Sequence, residues 1–271
     1  MVAASITPAT SAASATSPLG VLGSSSLTAY WRFQRAVAAA QLRAWLPPGG
    51  QVLLDISGPR SSVAAQAAAS GYRVIRVLPQ QPAIGSLPPR PGTVRGEVVP
   101  VIADPVRLSF LADGTVDGVI AEDGALSAYL MAEDIAAEIS RVLRPGGQLL
   151  ACVDSLVLGM SILAEQHHWA ELTDLPQAEV VLIPWPDGRI TRCFGPEQLT
   201  DLLTEAGLEV SWILPRTVLS PSMVDHVLRR EPSAITRLVR AEMAAGQEER
   251  PTAGGSGSFG MYLLAAARKP G

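Results

Sequence analysis

Residues 103–152 constrain this chain more than any other stretch. Val116, Val119 and Ile120 belong to a short β-branched run at 116–121, and Ile135, Ile139, Val142 and Leu143 then recur at i, i+4, i+7 and i+8. Arg144-Pro145-Gly146-Gly147 breaks that helix before a second apolar run at 148–153. The order is strand, helix, Pro-Gly-Gly turn, strand. A helix between two strands is a crossover connection, which makes the strands a parallel pair buried on both faces.

The same alternation extends in both directions. Upstream, 51–56 is an apolar run ending in Asp55 and Ile56, an alanine-rich helix at 62–70 is stopped by Gly71, and 72–78 and 98–102 are β-branched runs. Downstream, Gly195-Pro196-Glu197 opens a helix whose apolar face is Leu199, Leu202, Leu203 and Ala206, and Gly207 ends it before a strand at 208–214. Ser220-Pro221 has the N-cap and first-turn pattern of a helix bearing Met223, Val224, Val227 and Leu228, and Ile235, Leu238 and Val239 continue an apolar face. A Gly/Ser-rich linker at 254–258 precedes a last strand at 259–267. Strands interleaved with helices in this way predict an α/β fold, a doubly wound seven-stranded and mostly parallel sheet, with ligands bound at the carboxyl ends of its strands. Tyr30, Trp31, Val37, Leu42 and Trp45 predict one long amphipathic helix over 26–46, with Ser26 as N-cap and Pro47-Pro48-Gly49-Gly50 as stop, laid over the sheet.

Composition narrows the class. The 271 residues are 48% hydrophobic and 17% charged, which suits one large folded unit over 26–271, with an insertion at 155–195. Much of the apolar content is alanine, and a shared subunit interface, as in a homodimer, is one way to cover the surplus. A net charge of -4 gives no footprint for nucleic acid, and the cluster Arg229, Arg230, Arg237 and Arg240 reads as a solvated helix face. Cys152 and Cys193 stand far apart, without metal-ligand spacing, as expected in a reducing cytoplasm; Cys152 reads as a small buried hydrophobe. Residues 1–25, rich in Ala, Ser, Thr and Pro and without Lys or Arg, read as a flexible tail and not as a secretory signal. No apolar run approaches the roughly 20 residues that span a bilayer, so no membrane partner is expected.

The run Ala103-Asp104-Pro105-Val106-Arg107-Leu108-Ser109-Phe110, followed by the strand, helix and Pro-Gly-Gly turn above, resembles the second half of a class I S-adenosylmethionine-dependent methyltransferase domain. The resemblance covers about residues 51–269 and implies a Rossmann-like methyltransferase fold with the last strand antiparallel. It implies S-adenosylmethionine as cofactor, held by residues at Asp55, Ser57, Gly58, Leu78, Asp104, Val106 and Glu122, with the N-terminal helix closing over it. Asp104 would accept from the adenine amino group, with Val106 or Arg107 beside the ring; the alternative for Asp104 is a turn residue ahead of Pro105. Asp117 reads as fixing the entry to its strand.

The first half departs from that family. In the loop Asp55-Ile56-Ser57-Gly58-Pro59-Arg60-Ser61-Ser62, the residues Ser57, Pro59 and Ser61 stand where the family has three glycines. Serine is tolerated there if φ is negative, whereas Pro59 fixes φ near -65°. Val77-Leu78-Pro79 stands where the family places an acid for the ribose hydroxyls; a buried hydroxyl without a partner costs about 1 to 3 kcal/mol, roughly 10- to 100-fold in affinity. The prolines of 80–92 forbid the helix expected after the second strand.

Methyl transfer asks mainly for alignment, with a base needed where the acceptor carries a proton of high pKa. Candidate catalytic residues are Glu122 and Asp123 at the end of the fourth strand, and His167 and His168 in the insertion, near Trp169 and Trp185, which could wall a small acceptor. The alternative for the two histidines is packing or an interface, and His226 reads as structural. Three functions follow. The first is a methyltransferase acting on a small-molecule acceptor, and the second is an inactive pseudo-methyltransferase that binds or scaffolds a protein partner. The third is another small-molecule reaction on the same fold.

Overall fold

The computed structural model describes residues 28–46, 52–57, 61–79, 96–175, 178–185, 188–248 and 260–271. The 1–25 tail, Ser26, the 47–50 stop, Gly58, Pro59 and Arg60, the proline-rich 80–92 segment and the 254–258 linker lie outside the described residues.

The sheet has seven strands: β1 (Val52–Asp55), β2 (Arg73–Leu78), β3 (Glu97–Ile102), β4 (Val116–Ala121), β5 (Leu143–Asp154), β8 (Glu209–Arg216) and β9 (Tyr262–Arg268), in the order β3-β2-β1-β4-β5-β9-β8. Strands β1 to β5 pair in parallel, and β9 runs antiparallel to both β5 and β8. This is the doubly wound arrangement with an antiparallel last strand that the sequence predicts. Neighbouring residues of each central strand face opposite sides, as the period of two requires. Leu54, Val119 and Leu149 pack under α3 (Ala132–Val142) and α6 (Pro196–Glu205). Leu53, Ile120 and Leu150 pack on the other face, against α2 (Val63–Ala69) and the second half of α1 (Thr28–Trp45).

Helix α1 belongs to two cores. Its Leu42 and Trp45 lie on the sheet, whereas Tyr30, Phe33 and Val37 pack against α7 (Pro221–Arg230) and α8 (Ile235–Glu248). Asp117 accepts from Val52 N at 2.7 Å and pairs with Arg144 at 2.5 Å, fixing the start of β4 against β1 as expected. His226 is exposed on α7, and the buried polar residue of that helix is Asp225, which accepts from Tyr30 N at 3.3 Å. Among the described residues no helix is long and apolar enough to cross a membrane.

Two parts differ from the expectation. The Pro-Gly-Gly turn does not precede β5 but lies inside it. The strand begins at Leu143, opposite Val116, and resumes with Gln148 opposite Gly118, so the intervening residues bulge. Gly146 takes φ 77° there, donating to Lys269 O at 2.9 Å, while a Cβ on Gly147 would come within 2.8 Å of Arg144 O. The 155–195 insertion also holds more structure than the sequence suggests. It contains α4 (Leu156–Glu165), α5 (Trp169–Asp174) and an antiparallel ribbon of β6 (Val181–Pro184) and β7 (Ile190–Cys193) with its own small core, in which Cys193 is buried.

Candidate functional site

A cleft of about 600 Å³ opens at the carboxyl ends of β1, β4 and β5, with α1 across one side and the β6–β7 ribbon across another. Ligand pockets commonly run from about 300 to 1,000 Å³, and the ends of parallel strands are where the backbone directions leave such a crevice.

The corner between β1 and β4 is built by Asp55, Ser57 and Glu122. Asp55 is fully buried behind the cleft wall, and its Oδ1 accepts from Ser57 N at 2.9 Å. Its Oδ2 has no hydrogen bond among the described residues and lies 3.8 Å from Arg76 Nε. Burial pushes the Asp55 carboxyl up to about 6, against the hydrogen bonds from Ser57 and the charge of Arg76. Arg76 Nη2 also donates to Ser61 O at 2.9 Å, so β2 holds the residue that leads into α2. Ser57 lines the cleft and its Oγ accepts from Glu122 N at 2.8 Å, tying that loop to the end of β4. The non-glycine residues with positive φ among those described are Asp123, His167 and Thr217, so Ser57 and Ser61 meet the condition on which serine can stand for glycine.

Glu122 is buried and held bidentately by Arg216 at the end of β8, with Nη1 to Oε2 at 2.6 Å and Nη2 to Oε1 at 2.8 Å. Arg216 Nε donates to Gln41 Oε1 of α1 at 2.6 Å, and Nη1 lies 3.3 Å from Cys152 Sγ. With both oxygens bound to a guanidinium, Glu122 is held in place at the floor of the cleft. Asp123 follows it in the left-handed region with φ 56°, exposed on the cleft wall.

The third wall carries a carboxylate outside the sequence-predicted set. Asp154 ends β5, is 7% exposed and lines the cleft. Sheet register places Asp154 opposite Tyr262 and Tyr262 opposite Arg216, so the three stand in a row across the carboxyl edge. Ser127 Oγ accepts from Asp154 N at 2.9 Å, and Arg192 N donates to Ser127 O at 2.8 Å, which ties the ribbon to the loop after β4. Thr191 hydrogen-bonds the Asp154 side chain and accepts from Trp185 Nε1 at 2.7 Å. Burial pushes the Asp154 carboxyl up to about 7, against the hydrogen bond from Thr191 and the charge of Arg189.

Leu78, Asp104, Val106, His167 and His168 lie away from this cleft. Leu78 is buried and does not line it, whereas its neighbours Val77 and Pro79 do. Asp104 Oδ1 accepts from Val106 N at 3.0 Å, a turn of its own; Asp104 and Val106 line a separate shallow groove beside β3, and Pro105 faces the cleft. His167 lies against the exposed Trp169 with ring centroids 5.7 Å apart, and His168 Nδ1 is 3.4 Å from Glu171, both outside the cleft. Of the suggested aromatic wall, Trp185 lines the cleft. Gly58 lies outside the described residues.

No family model matches the sequence, and none of the curated proteins does. Solved structures do match. An S-adenosylmethionine-dependent methyltransferase of Methanosarcina mazei superposes with TM-score 0.55 at 16% identity, over 85% of this chain and 97% of that one. One from Thermotoga maritima gives 0.54 at 18%, over 93% and 97%. The Burkholderia thailandensis 1,6-didemethyltoxoflavin-N1-methyltransferase, solved with 1,6-didemethyltoxoflavin and S-adenosylhomocysteine, gives 0.56 at 20%, over 94% and 92%. The chain has the Rossmann-like fold of class I S-adenosylmethionine-dependent methyltransferases.

Proposed function

We propose that the protein binds S-adenosylmethionine in this cleft and transfers its methyl group to a small-molecule acceptor. The observation that carries the reading is the cleft itself, which lies at the carboxyl ends of β1, β4 and β5, under α1, with a buried carboxylate on its far wall.

The side chains fit the cofactor in separate stretches. Val77, Pro79, Pro105, Ala128 and Tyr129 give an apolar slot for a flat base. Ser61, Ser62 and Gln66, at the start of α2, bring hydroxyl and amide groups to the wall beside it and supply partners for ribose that the end of β2 lacks. Asp123 and Arg35, both exposed on the wall, carry the opposite charges that a zwitterionic methionyl end requires. When bound, S-adenosylmethionine supplies a methyl group already activated on a sulfonium. What the chain adds is placement: the Glu122–Arg216–Gln41 chain fixes the floor to the covering helix, and Ser57 fixes the loop to the floor.

A second reading, an inactive relative that binds or scaffolds a partner, draws on Val77 and Pro79 standing where a ribose acid would serve, and on Asp104 spending its carboxylate within its own turn. Calorimetry of the full chain with S-adenosylmethionine and S-adenosylhomocysteine separates the two. About micromolar binding, abolished in Ala128→Trp by a ring set into the slot, supports the first. No heat in protein shown to be folded by circular dichroism favours the second.

A further inference from the structure

We propose that Asp154 is the proton acceptor of the transfer, and that the pocket it shares with Thr191, Trp185 and Tyr262 takes a flat aromatic acceptor through a neutral O–H or N–H. The proposal rests on the methyltransferase reading above and adds to it the class of acceptor and the base.

Geometry comes first. Asp154, Thr191, Trp185 and Tyr262 all line the cleft, on its far side from Ser61, Ser62 and Gln66. Trp185 is 6% exposed, and the guanidinium of Arg189, which also lines the cleft, lies over its ring, 5.5 Å from the centroid. Guanidinium planes and aromatic rings both stack on planar groups, so the Trp185–Arg189 pair gives the cleft a surface suited to a flat ligand. Trp185 donates to Thr191 and Thr191 hydrogen-bonds Asp154, a chain that orients the carboxylate from behind. On the near side Gly124, with φ 67°, keeps the approach open, since a Cβ there would stand 3.2 Å from Asp154 Oδ1. A side chain at 124 would sit where an acceptor must meet the carboxylate.

The groups facing Asp154 do not compete for the proton. Cys152 on its own strand, Cys193 on β7 and Tyr262 on β9 are all pushed up by burial, so they are neutral near pH 7; the charge of Arg189 favours the carboxylate, and the Glu122–Arg216 pair and Asp123 line the same cleft. A base poised near neutrality suits an acceptor whose proton is held at neutral pH and released during attack. A carboxylic acid has already lost its proton and needs no such group. In the transfer, the acceptor's lone pair forms the bond to the methyl carbon as the carbon–sulfur bond breaks with its electrons remaining on sulfur, and the acceptor's proton passes to Asp154.

The test begins with calorimetry of S-adenosylhomocysteine on the wild type, Asp154→Asn and Thr191→Val. Equal affinity within threefold is expected and shows both variants folded; no binding in the wild type would defeat the methyltransferase reading as a whole. Transfer from labelled S-adenosylmethionine to 1-naphthol, indole, benzoate and thiophenol is then followed from about pH 5.5 to 8.5. The wild type should methylate 1-naphthol or indole, with a rate that rises through neutrality. Asp154→Asn should lower kcat about 100-fold or more and abolish that rise. Thr191→Val removes a hydrogen bond that favours the carboxylate, so its rise should shift to higher pH. With the homologue bound, three results overturn the proposal: methylation of benzoate or thiophenol alone, Asp154→Asn turnover within threefold of the wild type, or no product from any of the four.

Discussion

Asp55 and Asp154 are carboxyls whose ionised forms the fold disfavours, and this has a consequence for stability whatever they do in function. An unfolded aspartate titrates near its ordinary value of 3.8, whereas burial sets Asp154 near 7 and Asp55 near 6. Between those limits the folded chain holds protons that the unfolded chain has released, so stability falls as pH rises across the window. Above pH 7 the loss from Asp154 is complete, and below the ordinary value it is absent. Urea unfolding from about pH 4 to 8 should show this decline, at up to about 1.4 kcal/mol per pH unit from each group while both titrate. Asp154→Asn should flatten it, leaving the smaller share of Asp55; equal slopes in the two proteins would show that Asp154 is ionised at ordinary pH. The sequence reached Asp55 and Glu122 but not Asp154 or Arg216, for a physical reason. Strand runs at 148–153 and 208–214 were bounded by their apolar residues, yet the polar residue that closes such a strand at its carboxyl end is the one the fold carries into the crevice. A charged residue directly after an apolar run is the signal for Asp154, whereas Arg216 stands two residues beyond its run, behind Pro215, and carries no such mark.

At the scale of elements, the strands and helices with strong periodicity were legible, and two kinds of segment were not. Helix α4 has the sequence LVLGMSILAE, apolar nearly all round, and follows β5 without a Gly or Pro to mark the join, so periodicity could not separate it from the strand. Its start is set by Ser155, whose Oγ accepts from Leu158 N at 3.3 Å. Strands β6 and β7 have 4 residues each, too short for an alternation to stand out. The Pro-Gly-Gly run was legible as a break in the helix but not as a bulge, because its two glycines do different work. Gly146 needs a positive φ in open space, and Gly147 needs the absence of a Cβ against Arg144 O. Gly146→Ala should therefore cost about 1 kcal/mol through backbone strain. Gly147→Ala should cost clearly more, since a 2.8 Å backbone contact is relieved by moving the bulge itself. Urea midpoints compare the two, and a larger loss for Gly146→Ala would mean the bulge is held by torsion and not by close approach.

Across the whole molecule, α1 joins parts that the sheet alone would leave separate. Its first half packs on α7 and α8 and its second half on the sheet. Gln41 accepts from the Arg216 that grips Glu122, and the Tyr30 hydroxyl donates to Thr217 Oγ1 at 3.3 Å. The helix was legible in the sequence as a cover for the sheet; its second core was not, because contact with α7 and α8 depends on chain distant in sequence. A cover anchored at both ends cannot swing as a free flap, so ligand entry should involve loosening of α1 and not its departure. Binding stabilises the state it selects, by about 2.7 kcal/mol at a ligand concentration 100 times Kd. Amide hydrogen exchange with and without S-adenosylhomocysteine should then show added protection along α1 and at 122–129, with α7 and α8 little changed. Arg216→Met, which cuts the link from floor to helix, should speed exchange in α1 before ligand is added. Protection that appears equally in α7 and α8 would instead mean that the three helices open as one layer, with the hinge between that layer and the sheet.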